Sequence, residues 1–466
     1  MALTVTNTNS LQLLNILNRT SMDQSNTLTR LSTGSRINRG ADDPAGLIAA
    51  RTFDTELTAV NAALANNQRT DSILNVADKA LSEVANLVNE IKTLAVASAN
   101  KDGISADELA ANQSQIDEAL TAIDRIINST EFNGKKLLDG SQSITVSGVD
   151  GTKISDLKVF SRDPNAASTI TVDVSTAAAK ASAAVATTSA ASDTSISIQG
   201  KLGSVVIDVA AGENLSSVAA KIDAAAAQTG VDAIASSNGS LYLQSDDYGS
   251  AAFVRATVLS GDTTNFTNVN DAGTDAVVSV NGQATAVDGL NVNYSANGVS
   301  LSFNLTEDYN DGTVTGSESF TVNNEGGATF QLGTSSSTRS TIGVDGLYSQ
   351  QLGNSTVGFL STLKGGGANS LINDPNQASK IATEAAEQLA KVQGRIGGFQ
   401  KFQVKTALAQ QTAAKEGLTS ALSTIRDVDY ATETANLNRQ NVLLQSAISL
   451  LGLANQQSSQ ILTLLR

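Results

Sequence analysis

Apolar and polar positions recur along this chain with two periods. Residues 1–140 and 374–466 repeat every three or four residues, whereas 141–373 holds short runs that alternate every two. The clearest repeat closes the chain. Leu437, Leu444, Ile448, Leu451, Leu462 and Leu465 fall on one heptad-like seam, with Asn441, Asn455 and Ser458 in its gaps. Leu443, Leu450, Leu453, Ile461 and Leu464 make a second row beside it. A helix with two apolar rows needs partners on more than one side. The other end matches: Leu14, Leu17, Leu28 and Leu31, joined by Leu11, keep the seam spacing, and Ala2 to Asn18 carries no charged side chain. Two such ends are expected to pack against each other or against copies of themselves.

Between the ends, the pattern predicts a first helix over about 7–32, stopped by Gly34. A turn-rich link holds Arg36, Arg39, Asp42 and Asp43. Asp43-Pro44 starts a helix running to about Asn100, roughly 85 Å at ~1.5 Å per residue. Within it Ile73, Ala77, Ala80, Val84, Leu87, Ile91 and Leu94 keep a 4-3 repeat. Ser105 and Glu108 form a capping box for a helix to about Asn128, and Asn133-Gly134 marks a hairpin. The middle reads as strands with turns at Asn281-Gly282 and Asn297-Gly298. It includes a β-β-α-β-β unit over 195–244 and an Ala/Ser/Thr stretch, 175–194, taken as linker or polar surface. Asp374-Pro375 opens another helix to about Arg426, with Ile381, Ala385, Leu389, Val392, Ile396 and Phe399 on one face. Its Gly394, Gly397 and Gly398 suggest close backbone approach. A break at 427–430 precedes the closing helix. The fold expected is mainly α at both chain ends, long antiparallel coiled-coil-like helices packed together, with a β-rich α+β region inserted between them.

Composition narrows the function. The chain has no His and no Cys. That removes the commonest general base and metal ligand, any HExxH protease domain, disulfides and thiolate zinc sites, so neither an enzyme nor a cofactor is expected. Net charge is −15, of which 141–373 carries −12. That acidity suits a solvated outer surface and offers no basic footprint for nucleic acid. Six consecutive polar residues, Asn455 to Gln460, argue against membrane insertion by the closing helix. The N-terminus lacks a basic n-region and a cleavage motif, so no cleaved signal peptide is expected.

Several long motifs in order make the chain resemble bacterial flagellin over about 1–140 and 325–466. They are NTNSLQLLNILNRT, LSTGSRINRGADDPAGLIAA, TEFNGKKLLDG, GGATFQLG and NVLLQSAISLLGLANQQSSQILTLLR. The resemblance implies export of the unfolded chain through the flagellar type III channel, with folding under a filament cap. It then implies polymerisation of copies into an extracellular helical filament used for swimming. Implied partners are other subunits, an export chaperone, the cap and hook-junction proteins. Implied domains are a terminal-helix inner tube (1–43 with 427–466), a long-helix core with a hairpin (44–140 with 325–426) and an exposed outer region (141–324). The leucine seams are expected at the filament interface, and Arg36, Arg39, Asp42 and Asp43 either clip neighbouring subunits or form a solvated turn. The segment Asn89 to Val96 is similar to the family's site for an innate-immune Toll-like receptor: Leu94 matches, but Glu90 stands where the family has arginine, and Gln115 replaces an acidic partner. That reversal predicts weak recognition. A hook–filament junction protein and a secreted adhesin whose β middle binds glycans are the alternatives.

Overall fold

The computed structural model describes residues 8–100, 103–236, 239–313, 315–355 and 357–464, apart from the side chains at 227 and 458–464. Helices α1 (Thr8–Thr33), α2 (Pro44–Ser98) and α3 (Ala106–Ser129) come first. The β-rich middle carries the shorter α4 (Leu215–Ala224), α5 (Ala226–Thr229) and α6 (Glu307–Asn310). Then follow α7 (Pro375–Phe399), α8 (Lys405–Arg426) and α9 (Tyr430–Leu464). The chain is thus helical at both ends with antiparallel sheets between. It divides into two compact units, one within Met1–Asn66 and Ala407–Arg466, the other within Asn67–Thr406.

The helix starts are those the residues dictate. Asp43 Oδ1 accepts the Gly46 N–H at 2.9 Å, and Asp374 accepts those of Asn376 and Gln377, each with proline next in the chain. Ser105 and Glu108 complete their capping box. Gly34 takes φ 70°, and Asn281-Gly282 and Asn297-Gly298 turn with positive φ at both residues, as tight hairpins require.

In the larger unit α3 and α7 both lie against α2. Gln393 donates to Ser82 at 2.8 Å and Gln400 to Asp71 at 2.8 Å, so α7 runs antiparallel to α2. The buried stripe of α2 is Leu74, Ala77, Leu81, Val84, Val88, Ile91 and Ala95. Ala77, Val84 and Ile91 are buried as the expected repeat has it, but Ile73, Ala80, Leu87 and Leu94 are only half-buried, each giving way to the next residue along. Both rows are apolar, and two helices packing on the same side draw the boundary between them. On α7 the buried face is Ile381, Ala385, Leu389, Val392 and Ile396, as expected, with Phe399 half-buried. Each such Leu or Ile stabilises the unit by about 1.5–3 kcal/mol on burial.

The helix after Asp374 runs to Arg426 as expected, with a π turn at Gln400–Val404 between α7 and α8. One expectation fails. A Cβ built on Gly394, Gly397 or Gly398 meets nothing within 4 Å, so these glycines permit no close approach within the described chain.

The β region holds two cores. One sandwiches a five-stranded sheet against a four-stranded one around Phe303, Phe320, Ile170 and Val280. The other, around Phe266, Ile196, Leu241 and Val254, joins a three-stranded and a four-stranded sheet with α4. The β-β-α-β-β unit is present, but it is completed by the strands Lys180–Ala186, Phe253–Ser260 and Val269–Ala272. The stretch 175–194 is therefore not a linker: Ala181, Val185, Ala186 and Ala190 are buried in this core. Alanine is too small to betray a strand by hydrophobic contrast. The chain enters and leaves beside itself, Ala179 and Thr274 exchanging both backbone hydrogen bonds at 2.9 and 3.0 Å.

Candidate functional site

The smaller unit brings the chain ends together. Polar pairs track along α1 and α9 in opposite directions: Ser10 to Asn455 at 3.2 Å, Gln24 to Asn441 at 2.6 Å, Gln440 to Thr27 at 3.2 Å and Arg30 with Glu433 at 3.6 Å. The helices are thus antiparallel. The facing residues on α1 are Ser10, Leu13, Leu17, Thr20, Gln24, Thr27 and Leu31. On α9 they are Glu433, Leu437, Gln440, Leu444, Ala447 and Leu451. Both sets step by three and four, the heptad pattern of paired helices.

This seam is polar for a helix pair. Thr20 and Thr27 are the buried side chains of α1. Glu433 Oε1 and Gln440 Oε1 are buried acceptors without a hydrogen bond among the described residues; Arg30 lies 3.6 Å from Glu433, close enough to attract but too far to bond. A buried acceptor left unpaired costs about 1–3 kcal/mol. These two acceptors subtract from what the seam's burial and polar pairs contribute.

The expected seam residues split into two groups. Leu17, Leu31, Leu437, Leu444 and Leu451 lie half-buried between α1 and α9. Leu11, Leu14, Leu28 and Ile448 do not: they point outward with Ile16, Met22, Val442, Leu443, Leu450 and Leu453, all between 39% and 63% exposed. Leu462's side chain and Leu465 lie outside the described residues. Leu450 and Leu453, with Leu13 and Ile16 opposite, line a shallow groove of about 330 Å³. Sequence reading missed Thr20, Gln24, Thr27, Gln440 and Ala447. Their signal was the seven-residue spacing of Thr20 and Thr27, hidden because the search for seams looked for large apolar side chains.

The charged turn is tied to the break between α8 and α9. The Arg36 guanidinium donates to the Ile425 carbonyl at 2.7 and 3.2 Å, its N–H to Arg426 O at 2.6 Å, and Val428 N–H to Gly34 O at 3.0 Å. Arg36 thus satisfies carbonyls that the end of α8 leaves open. Arg39 reaches Asn26 at 2.9 Å and Asp42 at 3.6 Å. Asp42 accepts the N–H groups of Asn38 and Arg39 at 3.0 Å, which hold its carboxyl below the usual range. Asp43 caps α2. All four residues have partners within the chain.

In the larger unit Glu90 and Gln115 come together on one groove of α2 and α3, with Leu87 and Glu118. Asn89 is exposed beside it and Leu94 half-buried. Also unforeseen, α3 pins the segment before α7. Gln113 bonds Leu363 O and Leu371 N–H, Asp117 accepts Gly365 N–H, and Asp124 accepts Ser349 N–H, all at 2.8–2.9 Å. Among the described residues no helix is long and apolar enough to cross a membrane.

A chain whose terminal helices pair antiparallel, with β sandwiches inserted between them in the sequence, belongs to the class of helix-ended proteins with a β insert. Comparison with known proteins makes the class specific. Residues 5–143 match the bacterial flagellin N-terminal helical region, 379–465 the bacterial flagellin C-terminal helical region, and 195–247 the flagellin hook IN motif. The chain is 28% identical to a flagellin of Salmonella rubislaw over 499 residues, covering 99% of both chains. It is 28% identical to the B-type flagellin of Pseudomonas aeruginosa over 511 residues, covering 100% of both. Among solved structures it is similar to a flagellar junction protein from Legionella pneumophila, at 12% identity and a TM-score of 0.27, over 82% of this chain and 99% of that one. The protein belongs to the bacterial flagellin family.

Proposed function

We propose that this flagellin is the repeating subunit of the flagellar filament, and that copies join through the outward face of the α1–α9 pair. The observation that carries this is the row of Leu11, Leu14, Leu28, Leu443, Ile448, Leu450 and Leu453, exposed on a pair whose seam is partly polar. Apolar surface of that extent gains when covered, at roughly 25 cal/mol per Å². Leu17, Leu31, Leu437, Leu444 and Leu451 hold the pair itself. Arg36, Asp42 and Asp43 set the turn, and Arg39, with its side chain 67% exposed, reaches a neighbouring copy. In this reading 1–43 with 427–466 form the inner tube, 44–140 with 325–426 the next layer and 141–324 the outer region. The chain is exported unfolded, meets a chaperone, a cap and hook-junction proteins, and works outside the cell.

Abundance in sheared filaments tests the role: a filament subunit is the bulk protein of the preparation, whereas a junction protein is a trace component. Removal of Gln456–Arg466 is expected to leave a soluble monomer that does not polymerise, and filaments formed by that truncation would contradict the reading. For the Toll-like receptor, Glu90 and Gln115 on their shared groove support weak recognition. A reporter-cell assay is expected to show low potency, and full potency would refute it.

A further inference from the structure

A cavity of about 370 Å³ lies within the larger unit, between α7, the strand Ile154–Ser161 and the segment after residue 344. Its volume is within the range of small-molecule sites. Six charged side chains line it: Lys158, Lys391 and Arg395, and Asp156, Asp345 and Glu384. Lys158 and Phe160 share a strand face, Asp156 sits beside them in a bulge at φ 50°, and Glu384, Lys391 and Arg395 recur along one side of α7.

Three positive and three negative groups around one space would ordinarily pair off. Here, among the described residues, no two of the six approach to a salt bridge. Asp156 accepts the Asn304 amide at 3.4 Å and Glu384 that of Gln388 at 3.2 Å. Arg395, which lines the cavity, stacks its guanidinium 3.5 Å over the Phe160 ring, an arrangement that uses the face of the fork and not its N–H edge. Neither it nor Asp345 makes a side-chain hydrogen bond with a described residue. Burial pushes the Asp345 carboxyl up, countered by the charges of Arg395 and Lys158, and holds the Arg395 guanidinium down to about 10, countered by Asp345. The two feel one another across a gap neither closes. A ligand carrying both charges, carboxylate toward the fork and ammonium toward the carboxyl, supplies to each the partner it lacks.

We propose that this cavity binds a small zwitterion of the α-amino acid class, its carboxylate on Arg395 and its ammonium on Asp345. The site is independent of the helix pair that carries the filament reading, so it stands or falls separately.

Isothermal titration of the full chain, kept monomeric, tests the site with L-glutamine as ligand. Acetate and methylammonium serve as its two charged halves. The expected result is saturable binding of L-glutamine, with each half binding at least ~10-fold more weakly. Arg395→Gln and the isosteric Asp345→Asn should each weaken L-glutamine binding by ~10-fold or more. In the wild type, the Arg395 Nε–H resonance should shift with the same saturation curve, a readout that needs no variant to fold. Absence of saturable L-glutamine binding, acetate binding as tight as L-glutamine, or unchanged binding in folded Arg395→Gln would each overturn the proposal.

Discussion

At residue scale the most heavily bonded carboxylate among the described residues is Asp262, in the second β core. It accepts the N–H groups of Ala191, Thr264 and Asn265 and the Asn265 side-chain amide, at 2.6–3.0 Å. Those bonds, the backbone donors foremost, lower its pKa from 3.8 to about 2. A carboxyl lowered on folding stabilises the fold above its unfolded pKa and loses that contribution as pH falls through the folded one. Asp262→Ala should therefore lower the thermal midpoint at pH 7. The gap to wild type should close as pH is taken from 3.8 toward about 2. A gap independent of pH would assign the loss to packing. Gln113, only 5% exposed, makes a different kind of joint, since its amide bonds a carbonyl and an N–H of the segment before α7. Gln113→Ala leaves both buried and unpaired, and urea unfolding should show a loss of about 2–3 kcal/mol.

Caps and turns were legible residue by residue, because Asp-Pro, Ser-x-x-Glu and Asn-Gly act through local geometry. The joints made by Asp262 and Gln113 were not, because Asp262 bonds Ala191, 71 residues away, besides its neighbours Thr264 and Asn265, and Gln113 bonds Leu371, 258 residues away. Only a folded chain brings such groups together.

At element scale, periodicity found the long helices but not which row each buries. In α2 two adjacent apolar rows compete, and packing by α3 and α7 selects Leu74, Leu81, Val88 and Ala95. In α1 the seam contains threonine and glutamine, which a search for leucines passes over, and the exposed leucines resemble a seam more than the true one does. The π turn at Gln400–Val404 escapes pattern reading because one extra residue shifts the phase after α7 without breaking the helix. It buries Val404 and leaves Phe402 66% exposed. The glycines before it offer a clean element-scale test. With open space around Gly394 and Gly397, replacing either by alanine should stabilise the monomer by up to ~1 kcal/mol in urea unfolding, since alanine restricts the unfolded chain at no steric cost. Loss of stability would mean that the helix needs glycine's conformational freedom there.

At the scale of the whole molecule, helix–β–helix order and concentration of acidity in the middle were both readable from the chain. The two-core division of the β region was only half readable, because the alanine-rich strand Lys180–Ala186 completes one core without showing hydrophobic contrast. Since Ala179 and Thr274 are bonded to each other, the second core is an insertion between neighbouring residues. Replacing 180–273 by a short glycine linker should leave the helical circular dichroism signal and the remaining sandwich intact. Collapse of both would show that the two cores fold as one.

The central claim is that the outward apolar row of the α1–α9 pair joins copies of the chain. Seeded polymerisation followed by sedimentation and electron microscopy tests it most directly, comparing wild type with the triple variant Leu443→Asp, Leu450→Asp, Leu453→Asp. These three side chains are more than half exposed in the single chain. The variant should therefore keep the wild-type helical signal and remain in the supernatant without extending seeds. Filaments that grow from it at the wild-type rate would contradict the account.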